Sequence, residues 1–246
     1  MKLSVIIPAY NERSRIPEIL RRVQAAAFDK EIVIVDDCST DGTRQWLEDL
    51  ARQQSAGARE ITLEAGAGRL RIDNLRVFFQ EINRGKGAAL RRGFAEAQGD
   101  VVLVQDADLE YDPGDYPLLV QPIVDGRADV VYGSRYLAGS RPEQAFLPYA
   151  ANRFLTHLSN LLTHLPLTDM ETCYKAFRRE VLQGIQLKAN RFDFEPEITA
   201  KIARGKWRVV EVPIHYAARS HAEGKKISWR DGAHAMWCIV RYNLFD

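Results

Sequence analysis

Short runs of β-branched and aliphatic residues alternate along the chain with longer segments in which apolar residues recur at helical spacing. Because the short runs are continuously apolar, they predict strands that are buried on both faces of a sheet. Six strands are predicted, at KLSVIIP, EIVIVDD, RVFFQE, DVVLVQD, ADVVYG and WRVVEVPIHY. Four amphipathic segments predict helices at 13–28, 43–53, 86–98 and 114–124. This alternation predicts an α/β fold whose mostly parallel sheet is flanked by helices.

Two parts of the chain depart from the alternation. Residues 51–74, rich in Gly, Ala and Arg, predict an irregular insertion before the third strand. The insertion contains GAG but no GxGxxG after a strand, so a nicotinamide dinucleotide fold has little support. After Arg141 helical patterns dominate, and WRVVEVPIHY is the one further strand predicted there.

Composition indicates the cellular compartment of the protein and the kinds of partner that it can bind. The 246 residues carry a formal net charge of +1, which gives no overall attraction to nucleic acid. Three widely spaced cysteines indicate a reducing compartment and argue against a disulfide framework or a zinc site. Neither a secretory signal nor an apolar run of about 20 residues is present. The sequence therefore predicts a cytoplasmic protein with no nucleic-acid partner.

The polar residues that suggest chemistry follow the predicted strands, and ligands of such sheets bind beyond the carboxyl ends of the strands. Asp37 follows the second strand, where its carboxylate could accept from a nucleobase N–H. Ser39 and Asp41 fit a turn and helix cap equally well. Lys86 stands between two glycines in NRGKG, which predicts a cation brought close to a ligand by a Gly-lined backbone.

The fourth strand runs into an acidic cluster, VLVQDADLEYDP. Asp106, Asp108, Glu110 and Asp112 are spaced two residues apart, and carboxylates so close repel one another unless a cation lies among them. Asp112 precedes a proline and is interpreted as a turn residue. The other three carboxylates predict a cation at this strand end.

Taken together, PAYNE, VDDCSTDGT, NRGKG, QDADLEYDP and VYGSRY resemble the family 2 glycosyltransferases with the GT-A fold. Later segments are similar to the polyprenyl-phosphate sugar transferases, which include the dolichyl-phosphate mannose and glucose synthases: NRFLTHLSNLLT, DMETCYKAFRREV, RFDFEPEI and EVPIHYAARSHAEGKKISWRDG. The resemblance covers nearly the whole chain outside the insertion. It implies a single GT-A domain over 1–246, with a nucleotide-sugar-binding half at 1–140 and an acceptor-binding half at 141–246.

In this family DAD is the DxD motif, which holds Mg²⁺ or Mn²⁺ against the diphosphate of a nucleotide-sugar. Carboxylate oxygens are hard ligands that suit either ion. The resemblance implies that Asp108 and Glu110, at alternate positions, point together at the ion, while Asp106 lies toward the ribose or the water shell of the ion. The implied donor-binding residues are Pro8, Tyr10, Glu12, Asp37, Lys86, Asp106, Ala107 and Asp108.

The implied acceptor is polyprenyl phosphate, and the sugar is transferred with inversion. A phosphate monoester is largely dianionic at neutral pH, so it needs a cationic clamp rather than a general base. Arg135, Arg153 and Arg219 match arginines that contact the lipid phosphate in the related synthases, and Lys225 and Lys226 lie in the same basic loop as Arg219. Asp108, Arg135 and Arg219 are the residues implied to carry the transfer.

Three alternatives stay open at this point. Asp169 and Glu171 in TDMETCYK line the sugar pocket, cap a helix, or act as base for a sugar or protein hydroxyl acceptor. A non-catalytic nucleotide-sugar-binding module is disfavoured by the intact acidic cluster and basic loop. The sequence leaves open whether the donor is a UDP- or a GDP-sugar.

The C-terminal run ISWRDGAHAMWCIVRYNLFD combines aromatic and aliphatic residues with flanking arginines. This pattern suits a helix in a membrane interface, and its spacing suits core packing equally well. Many relatives continue from here into transmembrane helices. The expectation is therefore a peripheral contact at the cytoplasmic face of a membrane.

Overall fold

Strands and helices alternate through the first half of the chain in the computed structural model, which describes residues 1–63, 68–137, 146–191, 193–218 and 229–245. The strands are β1 Leu3–Ala9, β2 Lys30–Asp36, β3 Glu60–Thr62, β4 Arg69–Arg71, β5 Leu75–Phe79, β6 Val101–Val104, β7 Val130–Ser134, β8 Lys175–Arg178 and β9 Val209–Pro213. The helices are α1 Ile16–Ala25, α2 Thr43–Ser55, α3 Lys86–Glu96, α4 Tyr116–Val124, α5 Phe146–Thr163, α6 Arg179–Gln183, α7 Phe194–Arg204 and α8 Trp229–Leu244.

Seven strands form one sheet in the order β5-β2-β1-β6-β8-β7-β9. β8 runs antiparallel to β6 and β7, whereas the other neighbouring pairs are parallel. The apolar residues of β1, β2 and β6 are almost completely buried, as their continuous hydrophobicity predicts. The mostly parallel sheet is confirmed.

β8 lies in a segment where the sequence predicts no strand. Its four residues, KAFR, are too few to show a period, and two of them are cations. Lys175 is nevertheless fully buried, with its Nζ 5.0 Å from the ring centre of Tyr132. Because β8 sits between β6 and β7, residues from both predicted halves of the chain build one sheet.

The segment 51–74 is more regular than predicted. α2 continues to Ser55, and β3 and β4 then pair as an antiparallel hairpin. Leu70 and Ile72 are fully buried, so this segment contributes to the core. The prediction failed because strands of three residues show no alternation that a sequence pattern can reveal.

The parallel strands bring their carboxyl ends to one edge of the sheet. Ala9 pairs in register with Asp36, and Ile6 with Val104, so the segments after β1, β2 and β6 meet there. β7 runs in the same direction as β6, because β8 is antiparallel to both. The residues that follow β7 therefore reach the same edge.

Candidate active site

Asp37 anchors the loop that leads from β5 to Lys86. Its carboxylate accepts hydrogen bonds from the N–H of Arg84 at 2.8 Å, the N–H of Gly85 at 2.7 Å and Nε2 of Gln80 at 2.9 Å. Burial raises the pKa of Asp37, and the two main-chain hydrogen bonds oppose this rise. A direct contact between Asp37 and the donor stays a prediction, since these bonds already explain the residue.

Lys86 is a cation that the structure places against the acidic cluster. Its Nζ lies 3.0 Å from Oδ1 of Asp106 and 3.4 Å from Oε1 of Glu195 on α7. Burial acts to lower the pKa of Lys86, but the surrounding groups, Asp106 first and then Cys173 and Glu195, together outweigh it and the net shift is upward. Sequence reasoning missed Glu195, a buried carboxylate whose only signal is an acidic residue in the first turn of α7.

The glycines around Lys86 make room for protein backbone, and the predicted Gly-lined approach of Lys86 to a ligand stays a prediction. A Cβ on Gly85 would lie 2.5 Å from the main-chain oxygen of Asn190, and Gly85 has φ +94°. A Cβ on Gly87 would lie 2.7 Å from the main-chain oxygen of Ala189. The first turn of α3 is thus packed tightly against the chain that precedes α7.

The acidic cluster forms a turn rather than a continuation of the strand. β6 ends at Val104, and Leu109 has φ +65°, so the strand alternation expected to align Asp108 with Glu110 is absent. Oδ1 of Asp108 accepts from the N–H of Glu110 at 3.1 Å. Oε2 of Glu110 accepts from the hydroxyl of Tyr216 at 2.7 Å. The expectation that the two carboxylates point together at one ion therefore lacks its geometric basis.

The donor set at this turn still fits Mg²⁺ or Mn²⁺. Asp106 and Asp108 present hard carboxylate oxygens and are partly exposed. Within the described ranges no group of three or more His, Cys, Asp or Glu side chains could hold a metal ion by itself. Mg²⁺ commonly takes only one or two protein carboxylates and completes its shell with water and substrate phosphates. These residues therefore suit an ion that is shared with a diphosphate.

The segments after β1 and β2 support each other. The N–H of Glu12 donates to Oγ1 of Thr43 at 2.9 Å, and its carboxylate pairs with Arg15 at 3.0 Å. Asp41 accepts from the N–H of Arg13 and from Thr43, which favours the turn-and-cap interpretation of Asp41. Pro8 lies near the end of β1, close to this edge of the sheet. Ala107 is buried in the acidic turn, whereas Tyr10 is 48% exposed and open to a ligand.

Arg135 and Asp169 form a buried, bidentate ion pair. Nε of Arg135 lies 2.6 Å from Oδ2 of Asp169, and Nη2 lies 2.7 Å from Oδ1. The Arg135 side chain is 10% exposed and that of Asp169 is fully buried. Asp169 is therefore committed to Arg135, contrary to the expectation that it lines the sugar pocket or acts as a base. The Nε and Nη2 edge of Arg135, a residue predicted to clamp the acceptor phosphate, is therefore occupied by Asp169.

Glu211 on β9 holds the segment that carries Asp169. Its carboxylate accepts from the N–H and the hydroxyl of Thr168 and from the N–H of Asp169, at distances of 2.7–2.9 Å. Burial raises the pKa of Glu211. Sequence reasoning missed this residue, although one acidic residue among the apolar positions of β9 was a usable signal.

Glu171 differs from these paired carboxylates. Its Oε1 is shielded from solvent and has no hydrogen-bond partner in the part of the chain that the structure describes. Burial, reinforced by the nearby Glu195, raises the pKa of Glu171 to about 7. The hydroxyl of Tyr136 is buried without a partner in the same way. Such groups are costly unless something satisfies them, so both are candidates for ligand contact.

The basic residues predicted to bind the acceptor are only partly described. Arg153 on α5 is exposed, and its Nη1 donates to the main-chain oxygen of Thr168 at 3.1 Å, next to Asp169. The structure thus brings Arg153 close to the Arg135–Asp169 pair. Arg219, Lys225 and Lys226 lie outside the described residues.

Sequence comparison identifies the family of the chain. The profile of glycosyl transferase family 2 matches residues 4–185. The chain belongs to glycosyl transferase family 2, and the resemblance drawn from its motifs is confirmed.

Three relatives indicate which members of the family the chain is similar to. The chain is 32% identical over 93% of its length to an undecaprenyl-phosphate 4-deoxy-4-formamido-L-arabinose transferase of Pseudomonas fluorescens, covering 61% of that protein. It is 33% identical over 92% of its length to a dolichol-phosphate mannosyltransferase of Pyrococcus furiosus, covering 59%. An undecaprenyl-phosphate mannosyltransferase of Micrococcus luteus is 30% identical, with 87% of that protein covered. The chain thus spans about three fifths of the first two relatives.

Solved structures confirm the GT-A fold. Glucosyl-3-phosphoglycerate synthase of Mycobacterium tuberculosis, in complex with Mg²⁺ and uridine diphosphate, matches with a TM-score of 0.69 at 19% identity, over 98% of this chain and 79% of that chain. The same enzyme with Mn²⁺, uridine diphosphate and glucosyl-3-phosphoglycerate gives 0.67 at 18% identity, over 98% and 78%. At this identity the likeness speaks for the fold alone.

Proposed function

We propose that the protein transfers a hexose from a UDP- or GDP-sugar to polyprenyl phosphate. The observation that carries this proposal is the buried Arg135, which follows β7 and reaches the same sheet edge as the acidic turn. A cation so placed suits a phosphate acceptor beside a nucleotide-sugar donor. The relatives, an undecaprenyl-phosphate arabinose transferase, a dolichol-phosphate mannosyltransferase and an undecaprenyl-phosphate mannosyltransferase by name, support the same acceptor class.

On the donor side, Asp106 and Asp108 are the residues that would hold Mg²⁺ or Mn²⁺. When bound, the ion neutralises charge on the departing nucleoside diphosphate. Lys86 fixes Asp106 through its ion pair at 3.0 Å and adds a second positive charge at this edge. The nucleotide and ions in the M. tuberculosis structures support this donor chemistry.

On the acceptor side, the phosphate needs orientation and no deprotonation, because its second pKa of about 6 leaves it largely dianionic at pH 7. Among the residues that the structure describes, Arg135 and Arg153 are the cations that would orient the phosphate. Arg219, Lys225 and Lys226 are proposed for the same role from the sequence. Attack on the anomeric carbon from the side opposite the diphosphate inverts its configuration. Asp169 keeps Arg135 in place through the bidentate pair.

A second candidate function is transfer to a hydroxyl, with Glu171 as general base. The observation that favours it is the half-buried Glu171, whose Oε1 is shielded from solvent and whose pKa of about 7 matches that of an effective base. Under the phosphate proposal Glu171 contacts the sugar instead, and its unpartnered Oε1 accepts from a sugar hydroxyl. Glu171→Gln separates the two functions, because it abolishes turnover only if the carboxylate removes a proton.

A product assay tests the main proposal. Purified protein is incubated with a panel of UDP- and GDP-sugars, a short-chain polyprenyl phosphate and Mg²⁺, and the product is identified by mass spectrometry. We expect a polyprenyl-phosphate hexose of inverted configuration, and we expect Asp108→Asn to lose it while keeping the native unfolding midpoint. Full turnover in excess chelator, or glycosylation of hydroxyl acceptors alone, contradicts the proposal.

We also propose a peripheral membrane contact through α5 and α8, which pack against each other. The inner face of α8 is buried at Cys238, Ile239 and Tyr242, so core packing explains only part of its apolar pattern. The two helices leave large apolar side chains exposed: Phe154, Leu161, Met236 and Trp237, with Leu244 and Phe245 at the end of α8. No helix in the described ranges is both long and apolar enough to cross a bilayer. An exposed surface of this kind suits the interface of a membrane that carries the lipid acceptor.

A further inference from the structure

The segment that follows β9 is tied to the acidic turn through Tyr216 and Ala217. The hydroxyl of Tyr216 donates to Oε2 of Glu110 at 2.7 Å. The next residue, Ala217, donates its N–H to the main-chain oxygen of Glu110 at 2.9 Å. Tyr216 also forms an antiparallel bridge with Tyr111, and their ring centres are 5.2 Å apart. The turn after β6 and the segment after β9 therefore form one hydrogen-bonded unit.

The same side chain also contacts Arg135. The guanidinium carbon of Arg135 lies 5.1 Å from the ring centre of Tyr216, within the range of a cation–π contact. The bidentate pair with Asp169 fixes Arg135 from another direction. Burial and the neighbouring Glu110 carboxylate raise the pKa of Tyr216, and the Arg135 guanidinium, which also acts on the hydroxyl, opposes this rise.

Tyr216 thus contacts two residues, Glu110 and Arg135, that the proposed function assigns to the binding of different ligands. Glu110 belongs to the turn proposed to bind the donor diphosphate, and Arg135 belongs to the acceptor side. A phenol ring is rigid, so its hydroxyl and its ring face cannot move independently. A shift of Glu110 must therefore either move the ring against Arg135 or break the hydrogen bond.

We propose that Tyr216 is a positioning residue that couples donor binding to acceptor binding, holding Glu110 through its hydroxyl and Arg135 through its ring. The inference rests on the proposed function and adds to it a coupling between the two ligands. When a nucleoside diphosphate occupies the acidic turn, the Glu110 position that it favours fixes the ring and hence the guanidinium. The acceptor phosphate then binds more tightly, and the same factor applies in the reverse direction.

The test measures this coupling by calorimetry in Tyr216→Phe, which removes the hydroxyl and keeps the ring. Affinity for a short-chain polyprenyl phosphate is measured with Mg²⁺ alone and then with saturating UDP or GDP as well. In the native protein we expect the nucleotide to raise acceptor affinity about fivefold or more. In Tyr216→Phe we expect this ratio to fall to nearly one, while nucleotide affinity changes about threefold or less.

Tyr132→Phe is the matched control. It also loses a buried hydroxyl, which hydrogen bonds with Thr199 at 2.9 Å, but the described structure shows no contact between Tyr132 and Glu110 or Arg135. The control is expected to keep the native coupling ratio. In a Glu110→Ala background, Tyr216→Phe should change the ratio no further, because the hydrogen bond is already absent.

The possible outcomes separate the two proposals. A native coupling ratio in Tyr216→Phe, or a ratio of one in the native protein, overturns the coupling and leaves the proposed function intact. A native protein that binds neither nucleotide nor polyprenyl phosphate overturns both. A urea unfolding curve for each variant shows whether an altered ratio reflects lost folding instead.

Discussion

Most ionised side chains buried at the site have a specific partner. Lys86 pairs with Asp106, and Arg135 pairs with Asp169. The sequence nominates Lys86, Asp106 and Arg135 as residues that follow predicted strands, and Asp169 through the family resemblance of TDMETCYK. It could not pair them, because the partners come from separate segments and the pairing depends on how those segments meet in space. From the sequence, Asp169 could line the sugar pocket, cap a helix or act as a base, whereas the structure pairs it with Arg135.

Glu171, with no hydrogen-bond partner for Oε1 in the described structure, gives a prediction about pH. Its pKa is about 7 in the folded protein against 4.5 when exposed, so the folded state binds more protons between these values. Stability should therefore fall as pH rises from about 4.5 to 7 and level off above. Glu171→Gln should remove this dependence and become more stable than the native protein by about 3 kcal/mol at pH 8.

Urea unfolding between pH 5 and 8 measures this difference. Glu180→Gln, an exposed position on α6, controls for the loss of a carboxylate as such. If the free energies of unfolding of Glu171→Gln and the native protein differ by the same amount from pH 5 to 8, Glu171 is ionised throughout and the prediction is wrong.

At the scale of elements, the close packing of α3 against residues 189–191 sets the position of Lys86. Gly85→Ala should shift the first turn of α3, since its Cβ would lie 2.5 Å from the oxygen of Asn190. Gly57→Ala is the matched control, because Gly57 has a similar φ of +92° but open space around its Cβ. Both variants should lose about 1 kcal/mol to backbone strain. Gly85→Ala alone should also weaken nucleotide binding about tenfold or more in calorimetry, and equal effects in both variants would contradict this.

A second element-scale prediction concerns the edge opposite the site, where Asp129 joins the starts of β7 and β9. Its carboxylate accepts from Nε and Nη2 of Arg208 at 2.9 and 2.7 Å, and these hydrogen bonds lower its pKa to about 2. Asp129→Asn should lower stability by about 1 kcal/mol at pH 7, a value discounted because Arg208 is half exposed.

The depressed pKa sets the pH range of this effect. A carboxyl with a folded pKa of about 2 contributes stability above its unfolded value of 3.8 and loses it as pH falls toward 2. The difference between native and Asp129→Asn proteins in urea unfolding should therefore shrink between pH 4 and 2. Asp125→Asn, an exposed change nearby, should have a smaller effect at pH 7. Unchanged glycosyltransfer activity in Asp129→Asn would confirm that the Asp129–Arg208 ion pair has a structural role only.

Among the elements, continuous apolar runs allowed the sequence to locate β1, β2 and β6 to within one or two residues. The structure differs where an element is short or its residues are mixed. β8 has the sequence KAFR, and its burial depends on the strands on either side rather than on its own pattern. The glycines beside Lys86 predict a close approach to a ligand, whereas the neighbour that the structure gives them is the main chain of residues 189–191, far along the sequence.

At the scale of the whole molecule, the apolar surface on α5 and α8 makes a prediction about membranes. Trp237→Ser should reduce co-sedimentation with vesicles of mixed phosphatidylglycerol and phosphatidylcholine several-fold, because Trp237 is 56% exposed on that surface. Leu118→Ser on α4 replaces another exposed apolar residue elsewhere and should bind vesicles like the native protein. Equal binding by all three proteins would remove this surface from the proposed function.

The place of β8 in the sheet has a consequence for the chain as it leaves the ribosome. β6 is complete at Val104 and β7 at Ser134, yet the strand that lies between them begins only at Lys175. Until then Val101–Val104 is an apolar edge with unpaired backbone groups, and β7, which runs in the same direction, can occupy the gap intended for β8. The nascent chain must keep that gap open, so synthesis paused before Lys175 should favour mispaired and aggregating species.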